Sequence, residues 1–176
     1  MVIRKATIED LKAIEEIFSD IHTAEEKGFV TIGWKRGVYP TAATAQMALD
    51  RGDLFVQEDE GRIVGTAIIN QLQVEAYKGA NWHYDASDNE VMVLHTLVIS
   101  PTASRKGYGK SFVSFYENYA QVQGCYYLRM DTNEKNINAR TLYKKLGYDE
   151  VDIVPCVFNG MEDIQLVLLE KKIEQP

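Results

Sequence analysis

The segment from Ser100 to Ser111 reads Ser-Pro-Thr-Ala-Ser-Arg-Lys-Gly-Tyr-Gly-Lys-Ser, and it carries the densest chemistry in the chain. An apolar, β-branched run precedes it and a helical period begins at Tyr108, so a basic glycine-bearing turn joins a strand to a helix. The first N–H groups of a helix have no internal partner and carry partial positive charge, which suits an anion. Gly107 and Gly109 let the backbone approach a ligand without a Cβ in the way. Arg105, Lys106 and Lys110 add positive charge to an otherwise acidic chain. Two familiar phosphate loops fail here at one residue each. A P-loop ending in Gly109-Lys110-Ser111 needs glycine where Ser104 stands, and a dinucleotide turn opening at Gly107 needs glycine where Phe112 stands. The segment is either a phosphate cradle of another kind or a helix start with solvated lysines.

The surrounding elements follow from hydrophobic period and punctuation. Residues 2–6 alternate as a short strand, and Thr7 with Asp10 three positions on forms a near capping box. Ile8, Leu11, Ile14, Phe18 and Ile21 then give one apolar helical face. A second helix is expected after Pro40 and Thr41, closing at Gly52, with Trp34 and Tyr39 in the intervening loop. Residues 54–71 read as a hairpin turning at Asp59-Glu60-Gly61. Residues 72–90 are polar and irregular and are expected to form a surface loop, with a substrate lid as the alternative. Residues 91–100 are nearly continuously apolar, as a central strand buried on both faces should be. Tyr108, Phe112, Phe115, Tyr116 and Tyr119 share a helical face that Gly124 ends; a strand follows at 125–132 and a short helix through Ala139, Leu142, Tyr143 and Leu146, capped by Gly147. Two runs, 151–158 and 164–169, close the chain as an antiparallel pair. The order predicts a mixed α/β fold, one sheet with helices on its faces.

The 176 residues suit a single domain spanning 1–176. A net charge of −7 argues against general nucleic-acid binding and is compatible with cationic substrates. No apolar run approaches the roughly 18 residues of a membrane span, and acidic residues interrupt the apolar pattern at the start, unlike a secretory signal. Two cysteines, Cys125 and Cys156, outside any CxxC arrangement, point away from a disulfide framework or a metal site and toward a cytoplasmic address.

Three features in fixed order resemble the GNAT superfamily of acetyl-CoA-dependent N-acetyltransferases. The first is Leu97-Val98-Ile99-Ser100-Pro101 running into Ser104-Arg105-Lys106-Gly107-Tyr108-Gly109, similar to that family's pyrophosphate motif R/Q-x-x-G-x-G/A. The second is the strand Leu128-Arg129-Met130-Asp131-Thr132. The third is N-x-x-A-x-x-L-Y-x-x-x-G-Y, here Asn136, Ala139, Leu142, Tyr143, Gly147 and Tyr148. The motif's first position is Ser104 here, with Arg105 beside it; backbone N–H groups do most of the holding, so binding is expected to survive. The resemblance implies a mostly antiparallel, twisted sheet of about seven strands with a splayed parallel pair at its centre and about four helices. It implies acetyl-CoA as co-substrate, its pyrophosphate on the N–H groups of Arg105, Lys106, Gly107, Tyr108, Gly109 and Lys110. The pantetheine arm would pair along Leu97, Val98 and Ile99, and Asn136 would contact the cofactor. A homodimer is a reasonable assembly on the same grounds.

Acetyl transfer to an amine needs a free nitrogen lone pair, a donor for the developing oxyanion and a proton for the departing thiolate. By resemblance Tyr143 is the acid toward the CoA sulfur; on sequence grounds it is equally an aromatic packing beside Leu142 and Leu146. His95 titrates near neutrality and matches a histidine implicated as base in the serotonin N-acetyltransferase branch, against a reading as a core histidine. Glu90, at the mouth of the same strand, is the runner-up base or a solvated loop residue. Trp34, Tyr39, Tyr84 and Phe158 are candidates to line the acceptor pocket. The expected function is transfer of acetyl from acetyl-CoA to a primary amine, on a small molecule, peptide or protein, by direct attack. The alternative is a non-catalytic acyl-CoA-binding domain of the same fold.

Overall fold

The computed structural model describes residues 1–103 and 106–175. Four α-helices and seven strands alternate as the sequence predicts, with short 3-10 turns between them. They are β1 (Val2–Lys5), α1 (Leu11–Glu26), α2 (Ala42–Arg51), β2 (Leu54–Asp59), β3 (Arg62–Asn70), β4 (Val91–Ile99), α3 (Tyr108–Val122), β5 (Tyr127–Asn133), α4 (Ile137–Lys145), β6 (Asp149–Phe158) and β7 (Met161–Lys172). The strand order is β1-β2-β3-β4-β5-β7-β6, and β4–β5 is the parallel pair. The residues divide into two compact units.

The first unit comprises Met1–Val30, Trp34–Ile69 and His95–Phe115. β1 and β3 flank β2 in antiparallel register, with Val2 opposite Glu58 and Leu54 opposite Ile68. The hairpin turns at Glu60 and Gly61, whose φ values of 49° and 73° suit the twist of a two-residue loop. Ile14, Phe18 and Ile21 of α1 are buried at helical spacing, as predicted, with Ile17 beside them, while Leu11 is half-buried. Ile8 is not among them: it sits in the 3-10 turn Ile8–Asp10 and is 72% exposed. The α-helix starts at Leu11 because Asp10 turns back, its Oδ2 accepting from the Thr7 N–H at 2.8 Å. Phe55 packs on Phe115, ring centroids 5.6 Å apart.

The second unit comprises Thr31–Gly33, Asn70–Leu94 and Tyr116–Pro176. Val91–Leu94 run parallel to Tyr127–Met130, β7 pairs antiparallel with β5 (Asp131 opposite Leu168), and β6 pairs antiparallel with β7. Tyr116, fully buried, donates its hydroxyl to the Met92 carbonyl at 2.7 Å. Residues 73–90 run over the surface as expected, most of them exposed, but they are pinned at points to the protein beneath. Tyr77 is 3% exposed and forms a core with Val91, Val93, Leu166 and Leu168. Arg129 anchors the same stretch: its guanidinium donates to Glu170 Oε1 (3.1 Å), Gln73 (2.7 Å) and the Tyr84 carbonyl (3.0 Å), and lies 4.1 Å from the Trp82 ring centroid. The Glu170 carboxylate also takes the His83 N–H at 2.8 Å. A fully satisfied buried ion pair therefore pins a polar segment that composition alone reads as solvated.

Candidate active site

Within the first unit, β4 changes character at its middle. The ladder with β5 ends at Leu94. His95, Thr96 and Leu97 are half-buried where Val91–Leu94 are buried, so burial on both faces holds for the first half of the strand and for Val98. Thr96 has φ 51°, a left-handed conformation that a β-branched residue adopts only under constraint. Such a residue rotates the peptide planes beside it and takes their N–H and C=O groups out of the regular ladder. The Thr96 hydroxyl is hydrogen-bonded to that of Tyr39, and the Tyr39 ring meets Trp34 edge-on at 5.9 Å. Two of the expected pocket aromatics thus stand together, next in line to His95. Further along, the Ser100 N–H donates to the Val64 carbonyl at 2.8 Å and holds the end of β4 to β3.

The loop then runs through Pro101–Ala103, a 3-10 turn, into α3. Ser104 and Arg105 lie outside the described residues. Gly107 has φ 78°, and none of the described residues lies within 4 Å of where a Cβ would sit. Its carbonyl accepts from the Ser111 N–H at 3.0 Å. The N–H groups ahead of that bond, on Tyr108, Gly109 and Lys110, are those a helix start cannot satisfy internally. Lys106 and Lys110 are exposed beside them. The Tyr108 side chain points elsewhere: it is buried and its hydroxyl donates to Asp59 at 2.7 Å, so only its backbone is free for a ligand. Gly107 without a Cβ, orphan N–H groups and two lysines make a cradle for a phosphate-like anion.

The second unit carries the remaining residues. Tyr143 of α4 is 7% exposed and meets Tyr148 edge-on at 6.2 Å, the packing its helical position predicts. Its hydroxyl has no hydrogen bond among the described residues. Burial, then the field of Asp131, pushes that phenol far above its ordinary value, so it stays protonated. Asn136 is the N-cap of α4: its Oδ1 accepts from the Ala139 N–H at 3.2 Å, while its amide nitrogen has no partner among the described residues. Glu90 ends the 3-10 turn Asp88–Glu90, where its carboxylate takes the Ser87 hydroxyl and N–H. Those bonds hold it below its ordinary value, which fits a cap better than a base. Tyr84 packs on Tyr127, and Phe158 lies against the Tyr77–Leu168 core. Both cysteine thiols are pushed up by burial, Cys156 also by Asp131.

Asp131, inside the second motif, was not singled out by sequence. Burial pushes its carboxyl up to about 6, against the lowering effect of the hydrogen bond from Tyr77. The signal was present: Arg129 and Asp131 are charged residues two apart in a central strand, hence on one face. Among the described residues no group of three or more His, Cys, Asp or Glu could hold a metal ion, and no helix is long and apolar enough to cross a membrane.

This strand, glycine turn and helix start suit a phosphate-bearing ligand, and the family to which the chain belongs follows from wider likeness. Residues 11–148 match the acetyltransferase (GNAT) family, and the chain belongs to that family. It is an acetyl-CoA-dependent acyltransferase. An uncharacterized N-acetyltransferase of Methanocaldococcus jannaschii is 25% identical over 173 residues, 97% of this chain and 92% of that protein. A GNAT-family acetyltransferase from Streptococcus agalactiae superposes with a TM-score of 0.82 at 21% identity, covering 99% of this chain and 96% of that one. YncA of Salmonella typhimurium, solved with its cofactor acetyl-CoA, has a TM-score of 0.68 at 18% identity, covering 99% of this chain and 95% of that one. At such identities the structural likeness speaks for the fold: the seven-stranded sheet, its parallel pair and the four helices match the expectation.

Proposed function

We propose that the chain, working as one catalytic domain in the cytoplasm, moves the acetyl group of acetyl-CoA onto a primary amine by direct attack. The observation that carries this reading is the start of α3. Gly107 is in a left-handed conformation with no described atom where a Cβ would stand, beside N–H groups without helical partners and two exposed lysines. The pyrophosphate lies on the N–H groups of residues 106–110, with Arg105 adding charge, and the pantetheine arm lies along Leu97, Val98 and Ile99. The acetyl-CoA bound by YncA supports that choice of ligand. Asn136 donates its amide N–H, unpartnered among the described residues, to the cofactor.

His95 takes the proton that an alkylammonium must lose before it attacks; an amine with a pKa near 10.4 is nearly all charged at neutral pH. A peptide N–H turned out of the ladder by Thr96 meets the oxyanion. Tyr143 supplies the proton to the departing sulfur, its hydroxyl uncommitted to any described neighbour. Direct attack is favoured over a thioester on the protein because neither cysteine is activated: burial disfavours both thiolates.

Calorimetric titration with acetyl-CoA, beside ATP and NAD, tests the cofactor half. Saturable binding of acetyl-CoA alone is expected, and no binding at millimolar acetyl-CoA removes the assignment. Binding without turnover on any primary amine would mark a non-catalytic acyl-CoA module instead.

A further inference from the structure

Within the first unit, the loop between α1 and α2 sends a hydroxyl onto the left-handed residue of β4, where Tyr39 is hydrogen-bonded to Thr96. A β-branched residue at φ 51° relaxes toward the extended region unless its surroundings over-determine it. The Tyr39 hydroxyl is a fixed point that supplies such a constraint, because the turn carrying it is tied down on both sides. The Lys35 carbonyl accepts from the Val38 and Tyr39 N–H groups, each at 3.0 Å, with Gly37 at φ 75° inside the turn. Before Tyr39, the Arg36 guanidinium donates to Glu26 Oε1 (2.8 Å), the Thr23 hydroxyl (2.8 Å) and the Ser19 carbonyl (3.2 Å). After it, the buried His22 donates its Nε2–H to the Pro40 carbonyl at 3.0 Å. Ser19, His22, Thr23 and Glu26 are spaced three and four apart along α1, hence on one face. Helix, turn and tyrosine together form a strut that ends on Thr96.

We infer that Tyr39 is a positioning residue for acetyl transfer: its hydroxyl, bonded to that of Thr96, holds the left-handed backbone and so aims the peptide N–H that meets the oxyanion. The inference rests on the acetyltransferase reading and adds to it the group that keeps the donor in place. The φ of Thr96 sets the angle between the peptide planes on its two sides, so releasing it swings the Leu97 N–H back toward a regular strand direction. A donor stabilises the transition state only where charge develops, and one turned away loses that effect while the chain stays folded. In this role Tyr39 acts through Thr96 and needs no contact of its own with cofactor or acceptor.

Two substitutions separate this role from a direct one. Tyr39→Phe removes the hydroxyl and keeps the ring edge-on to Trp34. Thr96→Gly removes the need for a clamp, because glycine adopts a positive φ without the Cβ penalty. If the tyrosine acts through the backbone at 96, its hydroxyl matters when threonine stands there and ceases to matter when glycine does. If it touched the substrates itself, losing the hydroxyl would cost the same in both backgrounds.

The readout is the infrared carbonyl stretch of bound acetyl-CoA carrying 13C at the thioester carbon, which a hydrogen bond to the carbonyl oxygen lowers and which needs no acceptor. Tyr39→Phe should move that stretch to higher wavenumber, while acetyl-CoA affinity stays within about threefold because the phosphate cradle is untouched. Added to Thr96→Gly, the same substitution should move nothing. Turnover with hexylamine as acceptor should follow the same pattern. Tyr39→Phe should lower kcat at least about tenfold, less than the roughly hundredfold cost of deleting an oxyanion donor outright. KM for hexylamine should stay near wild type, and Thr96→Gly should again erase the effect. Acetyl-CoA binding by Tyr39→Phe reports that the variant is folded. An unmoved stretch in Tyr39→Phe, or a shift of equal size in the Thr96→Gly background, would overturn the inference. Loss of acetyl-CoA binding in the wild type would instead remove the reading beneath it.

Discussion

Tyr143 and Asp131 show burial acting on two acids in opposite service. Burial holds the phenol protonated throughout the working range, so it can release its proton only to a base generated beside it, such as a thiolate leaving as the C–S bond breaks. Tyr143→Phe should therefore lower kcat at least about tenfold, within the usual worth of a general acid, while the acetyl-CoA dissociation constant moves little. Unchanged turnover would remove Tyr143 from the chemistry. For Asp131 the folded-state value of about 6 lies above the ordinary 3.8, so the proton binds more tightly to the folded chain. Its stabilising contribution is complete below about pH 4 and is lost as pH rises through 6. Asp131→Asn should then melt higher than wild type at pH 8, with the gain gone at pH 4. A rise of about two pH units is worth up to about 3 kcal/mol. Half-burial reduces it to roughly 1–2 kcal/mol, and at ~2–4 °C per kcal/mol the shift is about 2–8 °C. Equal melting temperatures at both pH values would contradict the burial of that charge. Tyr143 was legible in sequence through its place in a motif; Asp131 was not, because its setting depends on Tyr77, 54 residues away in the chain.

At the scale of elements, what sequence conveyed well was local. Capping at Thr7, the Glu60-Gly61 turn and the 3.6 period of α3 are decided by neighbours within a few residues, and those elements appear where predicted. What escaped was long-range: the anchoring of residues 73–90 by Arg129 and Glu170, and the left-handed Thr96, which no local preference announces. The glycine turn lies between these cases. Gly107 is required by its φ of 78°, yet a Cβ there would touch no described atom, so a small side chain is tolerated sterically. Gly107→Ala should fold with a strain cost of about 1 kcal/mol, the low end for a non-glycine residue in that region. It should weaken acetyl-CoA at least about tenfold by standing where the ligand's phosphates approach the backbone. Wild-type affinity in a folded Gly107→Ala would place the pyrophosphate elsewhere.

Across the whole molecule, a chain with a net charge of −7 carries Lys106 and Lys110 at one helix start, and no described cation pairs with the Asp131 carboxylate on β5. An anionic cofactor and a cationic acceptor are the two ligands that complement such a distribution. Two separately placed charges also suit both substrates binding before chemistry, without a covalent stop on the protein. Initial rates of CoA thiol release, measured over a grid of acetyl-CoA and hexylamine concentrations, test this most directly. Direct attack predicts release that depends on the amine and reciprocal plots that intersect. Parallel lines, or release indifferent to the amine, would contradict it.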